Sequence, residues 1–300
     1  MDVIEGFRSY FDTAQGVILH PAQPMIRRIG NSIFTSSVGQ LFDPIFFGTK
    51  SELPDQGIAA VQPAIRLKSG AAKPAFTRSF VNLGLIHLDV PEQQHLNSMD
   101  TMLNWFSKLG IYIPDIHLLV EGTNEDWGNG PFNGHVLRLM YGDVELGVAN
   151  YFSAVPTNNG RRVPYSDISV GAERIQWART KKADFASLIA PPEQAHYTSL
   201  EAIDILRTLT LASIGRVLPS DKSDGGQKMA LLMRAISIPG KPIDYALLRN
   251  YYFFWNRLTN EDNLTSPDKI YAALEEARSK YIAEKVGMLI AAATGNGKSG

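Results

Sequence analysis

The sequence predicts an α+β fold: an antiparallel sheet flanked by helices, followed by a helical C-terminal region. Three observations carry this. Short strand-like apolar runs crowd the first ~180 residues. Two of them, VLRLMY and VELGVANYFS, flank Gly142-Asp143, a two-residue hairpin signal. Beyond about residue 180 the periodic runs have helical spacing. Strands gathered in one part and helices in the other argue α+β rather than alternating βαβ units.

The elements follow in order. Asp2 and Glu5 frame a capping box, and Val3, Phe7, Tyr10 and Phe11 form a helical stripe ending near Gly16. Strand-like runs come next at GVILH (16–20), SIFTS (32–36), AAVQPAIRL (59–67) and RSFVNLGLIHLDV (78–90). Pro63 has no N–H to donate, which places its strand at an edge or a bulge. Residues 98–110 read as a helix with Met102, Leu103, Phe106 and Leu109 on one face. IHLLVEG (116–122) reads as a strand; the hairpin follows, and a helix opens at GAERIQWART (171–180). APPE (190–193) reads as a linker, and the chain divides into a core, 1–185, and a helical domain, 186–300. In the second part Thr198 and Glu201 fit a capping box ahead of Leu200, Ile203, Leu206 and Leu209. The polar stretch PSDKSDGGQK precedes ALLMRAIS, and YYFFW (251–255) reads as helix-packing core. Ser266-Pro267 starts a last helix that runs almost to Gly295. The tail GNGKSG is no phosphate loop, because Ala292 stands where the first glycine is needed and no helix follows.

Composition narrows the partners. A net charge of −1 gives tight DNA or tRNA binding no support from bulk charge. The absence of cysteine excludes disulfides, thiolate metal sites and cysteine nucleophiles. There is no run of about 18 apolar residues, and MDVIEGFRSYF carries acids where a signal peptide carries lysines. The expectation is a cytoplasmic protein without a membrane partner.

Four stretches together resemble the core of a class II aminoacyl-tRNA synthetase, alanyl-tRNA synthetase above all. FTSSVGQLFDPIFFG (34–48) resembles that family's first motif in scaffold, with Ser36-Ser37-Val38 at its centre. QPAIRL (62–67) with FVNLG (80–84) resembles the second, with Arg66 as its arginine. DISVGAERI (167–175) resembles the third, and VLPSDKSDGG (217–226) the start of the helical tRNA-binding part. The resemblance implies a site for ATP and a small, alanine-like amino acid. It gives Arg66 the α-phosphate and substrate carboxylate, and Arg174 the terminal phosphate. Asp167 would take the substrate ammonium and Phe80 the nucleotide. Gly171 would allow close approach, and Glu145 is the acid left for magnesium. Guanidinium groups suit a leaving pyrophosphate because they stay charged and fork onto phosphate oxygens.

Three departures from the family shape the functional expectation. Val81-Asn82 replace the acid after the second motif's phenylalanine. Arg138 stands where the family carries a glutamate, which disfavours magnesium and favours direct contact with an anion. After Gly226 only Lys228 and Arg234 remain of an arginine-rich segment, so tRNA binding is weakened. The expectation is a stand-alone relative without editing and distal tRNA-reading parts. It would activate a small amino acid as the adenylate and pass it to a small-molecule acceptor, such as a nucleoside-like metabolite of a natural-product pathway. The alternatives are an aminoacyltransferase using a preformed donor such as alanyl-tRNA, and a non-catalytic paralogue that senses an amino acid or binds a partner. The apolar stretch LFDPIFFG further suggests a homodimer.

Overall fold

The computed structural model describes residues 2–27, 29, 32–48, 50–67, 75–126, 131–181, 185–190, 199–259 and 265–295. Thr198, most of the APPE stretch and the tail beyond Gly295 lie outside them. The chain divides into two compact units, Met1–Ile189 with Leu258–Asn260, and Ala190–Arg257 with Glu261–Gly300. None of the described helices is long and apolar enough to cross a membrane.

The first unit is built on one seven-stranded sheet. Its strands are β1 (Val17–His20), β2 (Gly57–Ile65), β3 (Ser79–Leu88), β4 (Ile116–Asp126), β5 (Pro131–Tyr141), β6 (Val144–Pro156) and β7 (Arg162–Gly171), in the order β1-β2-β3-β7-β6-β5-β4. All neighbours are antiparallel except β1, which runs parallel to β2. Gly142, at φ +55°, makes the β5–β6 turn as expected, since that left-handed backbone is strained for other residues.

Pro63 is accommodated because β1 ends opposite Ala60. Its missing N–H therefore faces a stretch of β2 without a strand partner, a local edge. Farther along that side, Ile65 N–H donates to the Thr35 carbonyl at 2.9 Å. SIFTS accordingly forms no strand. Its one ladder contact is an isolated bridge, Ile26 with Phe34.

Helices cover the sheet. In α1 (Val3–Phe11) Asp2 caps Ile4 N–H at 2.9 Å, while Glu5 pairs with Arg8 instead of closing a capping box. The helix stops at Phe11, before Gly16. α3 (Glu92–Lys108) starts earlier than its apolar face suggests, at Pro91, because polar His95 and Ser98 are buried with Met99, Met102, Trp105 and Phe106. A 3₁₀ turn, Val38–Phe42, and α2 (Asp43–Phe46) cap one end of the opposite face. There Phe42, Ile45 and Phe46 join Ile58, Ile86 and Tyr165 in the core. The apolar residues of LFDPIFFG are thus largely interior to one chain.

Residues 162–171, to which the sequence assigns no strand, form β7, an interior strand that DISVG ends. α4 (Ala172–Thr180) follows it where GAERIQWART is expected to open a helix, with Gly171 as its N-cap, and a short α5 (Ala186–Ile189) comes next. The second unit is helical: α6 (Leu200–Ile214), α7 (Asp224–Ile236), α8 (Tyr245–Asn256) and α9 (Pro267–Gly295). Ser199 caps α6 by accepting from Ala202 N–H at 3.2 Å. α7 opens inside PSDKSDGGQK, with Ser223 as its cap. Tyr251, Tyr252 and Trp255 of YYFFW are buried in the packing, while Phe253 is 52% exposed.

Candidate functional site

Alternation along β7 puts Tyr165, Asp167, Ser169 and Gly171 on one face of the sheet and Ser166, Ile168 and Val170 on the other. Register carries the first face outward from β7. Asp167 lies opposite Ile86 and Asn150, and Ser169 lies opposite Gly84 and Val148. Val148 lies in turn opposite Arg138. Beside the area covered by α2, this face opens into a cleft lined by Arg66, Phe76, Phe80, Glu145, Ser169 and Arg174.

Arg66 leaves the end of β2, and its guanidinium lies 5.0 Å from the Phe80 ring centroid, a cation–π distance. Its Nε donates to the Ser36 carbonyl at 2.9 Å. Although part of the side chain is exposed, desolvation around the guanidinium lowers its pKa; Asp167 and Glu145 raise it and Arg174 lowers it. Arg66, Glu145 and Arg174 line the cleft, while Asp167 is not among its lining residues and is close enough to Arg66 to act on its charge.

Asp167 is the deepest of them. Ser169 Oγ donates to its Oδ1 at 2.5 Å. Behind it, a Cβ on Gly39 would fall 2.4 Å from Tyr165 Oη and 2.9 Å from Asp167 Oδ2, so glycine alone lets the 3₁₀ turn pack there. Burial raises the Asp167 pKa, against the lowering effects of Ser169, Arg66 and Tyr165. A desolvated carboxylate of this kind gains from a cationic ligand.

Arg174 is committed differently from the expectation. Its Nη1 donates to the Glu145 carbonyl at 2.7 Å and its Nε to the Ala75 carbonyl at 3.1 Å, and its guanidinium lies 5.5 Å from the Phe76 ring centroid. Desolvation lowers its pKa, while Glu145 and Glu173 raise it. The arginine thus ties the approach to β3 across the cleft, which encloses only about 60 Å³. That is below the ~300 Å³ of an ordinary small-molecule pocket.

Glu145 does not fit a magnesium ligand. Its Oε2 accepts from Arg138 Nη1 at 2.7 Å, and its Oε1 faces Arg174 at 3.6 Å. Arg138 also donates to Glu121 at 2.9 Å. Desolvation of Arg138 is outweighed by these bonds, and its pKa is raised. Among the described residues no group of three or more His, Asp or Glu side chains is arranged to hold a metal ion. Arg138 is therefore the counter-ion of two carboxylates, not a free anion ligand, and Glu145 is already neutralised.

Gly171 has φ −87°, and a Cβ there would meet only Arg174 carbon atoms, at 3.5 Å and beyond. The fold does not require glycine at this position, although its surface faces the cleft.

The roles of three residues emerge only from the structure. Both carboxylate oxygens of Glu173 accept from Val81 N–H at 3.1 Å, fixing the start of α4 to β3. Asn82, standing where an acid was expected, accepts from Val38 N–H at 2.8 Å and holds the 3₁₀ turn. Ser169 orients Asp167. A roomier cavity, about 550 Å³, lies within the helical unit, but its Arg278 is bound to Glu275 and to the Ile238 and Lys241 carbonyls. It brings none of the site chemistry together.

No protein-family model matches the chain, and no curated protein matches it in sequence. Two solved structures from Desulfitobacterium hafniense are similar in part. One is a pyrrolysyl-tRNA synthetase, 15% identical over 62% of this chain and 71% of its own, at a TM-score of 0.44. The other is PylSc, a pyrrolysyl tRNA synthetase, 16% identical over 62% and 68%, at 0.42. A likeness of that size carries no argument about activity, and the resemblance to alanyl-tRNA synthetase rests on sequence alone.

Proposed function

We propose that the cleft handles an aminoacyl group: it activates a small, alanine-like amino acid as its adenylate and transfers it to a small-molecule acceptor. The observation that carries this reading is the convergence of Arg66 and Arg174 on one cleft, with Asp167 behind them. Arg66 would take the carboxylate or α-phosphate. Asp167, oriented by Ser169, would take the ammonium. Arg174 would exchange its carbonyl partners for phosphate oxygens, opening the strap at Ala75–Thr77 and the room that ATP needs. Positioning and charge stabilisation would supply the rate. The test is pyrophosphate exchange with each of the twenty amino acids, with and without candidate acceptors; no exchange with any small amino acid contradicts activation.

A second reading is favoured by the Arg138–Glu145 pair. A transferase that takes its aminoacyl group from a preformed donor needs no magnesium and no phosphate leaving group. Labelled alanyl-tRNA that loses its label to a metabolite only when the protein is present supports this reading; an unchanged label contradicts it.

A further inference from the structure

The two edges of the sheet differ sharply. β1 is only four residues long and is followed by Pro21 and Pro24, which cannot donate to a neighbouring strand. β4 is eleven residues long, roughly 37 Å at strand rise, and contains neither proline nor lysine. It lies at the end of the sheet, paired only with β5 among the described strands. At its middle Leu118, Leu119 and Val120 are 48%, 50% and 65% exposed, so apolar side chains stand out on both faces of an open ladder. Native edge strands are ordinarily short, charged, bulged or covered; the acids of β4, Glu121, Glu125 and Asp126, all lie beyond its first five residues, and that leading stretch, Ile116–Val120, offers another strand an apolar template.

We propose that β4 is a self-pairing edge, joined antiparallel to β4 of a second copy of this chain with the two-fold axis at Leu119. That register is self-complementary. Leu119 meets its own copy, Leu118 meets Val120, and His117 stands opposite Glu121, an imidazole facing a carboxylate at cross-strand distance. Opposed residues share a face, so His117, Leu119 and Glu121 line one side of the joint sheet and Leu118 and Val120 the other. Closure follows from the two-fold symmetry. The extended sheet ends in two copies of the short β1 edge, so growth stops at a dimer instead of running on as a fibre. Glu121 also accepts from Arg138, so the partner subunit's His117 would share a carboxylate with the arginine that neutralises Glu145. Phe42, Ile45 and Phe46 are interior, so LFDPIFFG offers no such surface; α9 also exposes Val286, Met288, Leu289 and Ile290, but β4 joins its apolar residues to an open, self-complementary ladder.

The test is the mass in solution. The wild-type chain is expected at twice 33.1 kDa by sedimentation equilibrium. Val120→Lys and Leu118→Lys are each expected to weaken the dimer at least tenfold without changing the melting temperature of the monomer. The chain has no cysteine, so a Leu119→Cys variant carries a single thiol. It is expected to join to itself through a short bismaleimide, whereas Tyr112→Cys, also on an exposed position, does not. A monomeric wild type, a dimer indifferent to Val120→Lys, or a dimer in which Leu119→Cys fails to cross-link overturns the proposal.

Discussion

Across the middle of the sheet, His135, Tyr151, Ser166 and His87 stand in register under α3, while Arg138, Asp167 and Ser169 stand on the opposite face beside the cleft. Of the first row, His87, Ser166 and Tyr151 are buried, while His135 stays 35% exposed and faces Glu92 at 3.5 Å. His95 Nδ1 lies 2.8 Å from Ser166 Oγ and Ser98 Oγ lies 3.0 Å from His87 Nε2, and both imidazoles are buried. Burial pushes His87 down to about 4; burial, His135 and His87 push His95 down to about 4. The second row is charged, partly open and held through contacts that a ligand can replace. One fold therefore keeps polar groups in two ways: hydrogen-bonded to one another under α3, and ion-paired across the cleft face.

The largest expected effect is on the face under α3. Histidines whose folded pKa lies at about 4, below the ordinary 6.5, bind protons less readily than in the unfolded chain. Their contribution is complete above pH 6.5 and is lost as pH falls from 6.5 towards 4, by about 3 kcal/mol for each. Urea unfolding between pH 7 and 4 is expected to show this slope, and the double variant His87→Asn, His95→Asn is expected to flatten it. An equal slope in both proteins would separate acid sensitivity from this row.

On the open face, Arg174→Ala removes the donors to the Ala75 and Glu145 carbonyls. It is expected to cost about 2 kcal/mol and to speed hydrogen exchange at 75–77, read by mass spectrometry. Unchanged exchange there would mean that the arginine is not the strap. Asp167→Asn acts in the opposite direction. The raised pKa means that the folded state holds the charge reluctantly, so stability at this group grows as pH falls. Neutralising it is expected to raise the melting temperature at pH 7 while abolishing binding of ammonium-bearing ligands. A drop in melting temperature would contradict that assignment. Gly171→Ala is the smallest change: stability is expected to stay within about 0.5 kcal/mol, while ligand affinity falls because the methyl group enters the cleft.

The same contrast explains what the sequence makes legible. The hairpin is legible because Gly142 and alternating apolar residues state it locally, and α9 because Ser266-Pro267 is a local start signal. β7 is not, since Ser166, Asp167 and Ser169 interrupt the apolar pattern of an interior strand for reasons that lie across the sheet. The start of α3 is hidden likewise, because His95 and Ser98 look solvent-facing until their partners on β7 and β3 are known. Arg66, Asp167 and Arg174 are legible as residue types at motif spacing. The contacts that set their state are not: Val81 and Glu173 are 92 residues apart, and Arg174 and Ala75 are 99. Glu145 is legible as an acid near the site, but its neutralisation by Arg138 depends on the irregular register between β5 and β6.

The central claim is that Arg66, Asp167 and Arg174 act as one site. The most direct measurement is calorimetric titration of a sulfamoyl analogue of alanyl-adenylate into the wild type and into Arg66→Ala, Asp167→Asn and Arg174→Ala. Saturable binding by the wild type, weakened at least tenfold in each variant, is the expected result. An analogue that does not bind, or that binds all four proteins equally, would contradict it.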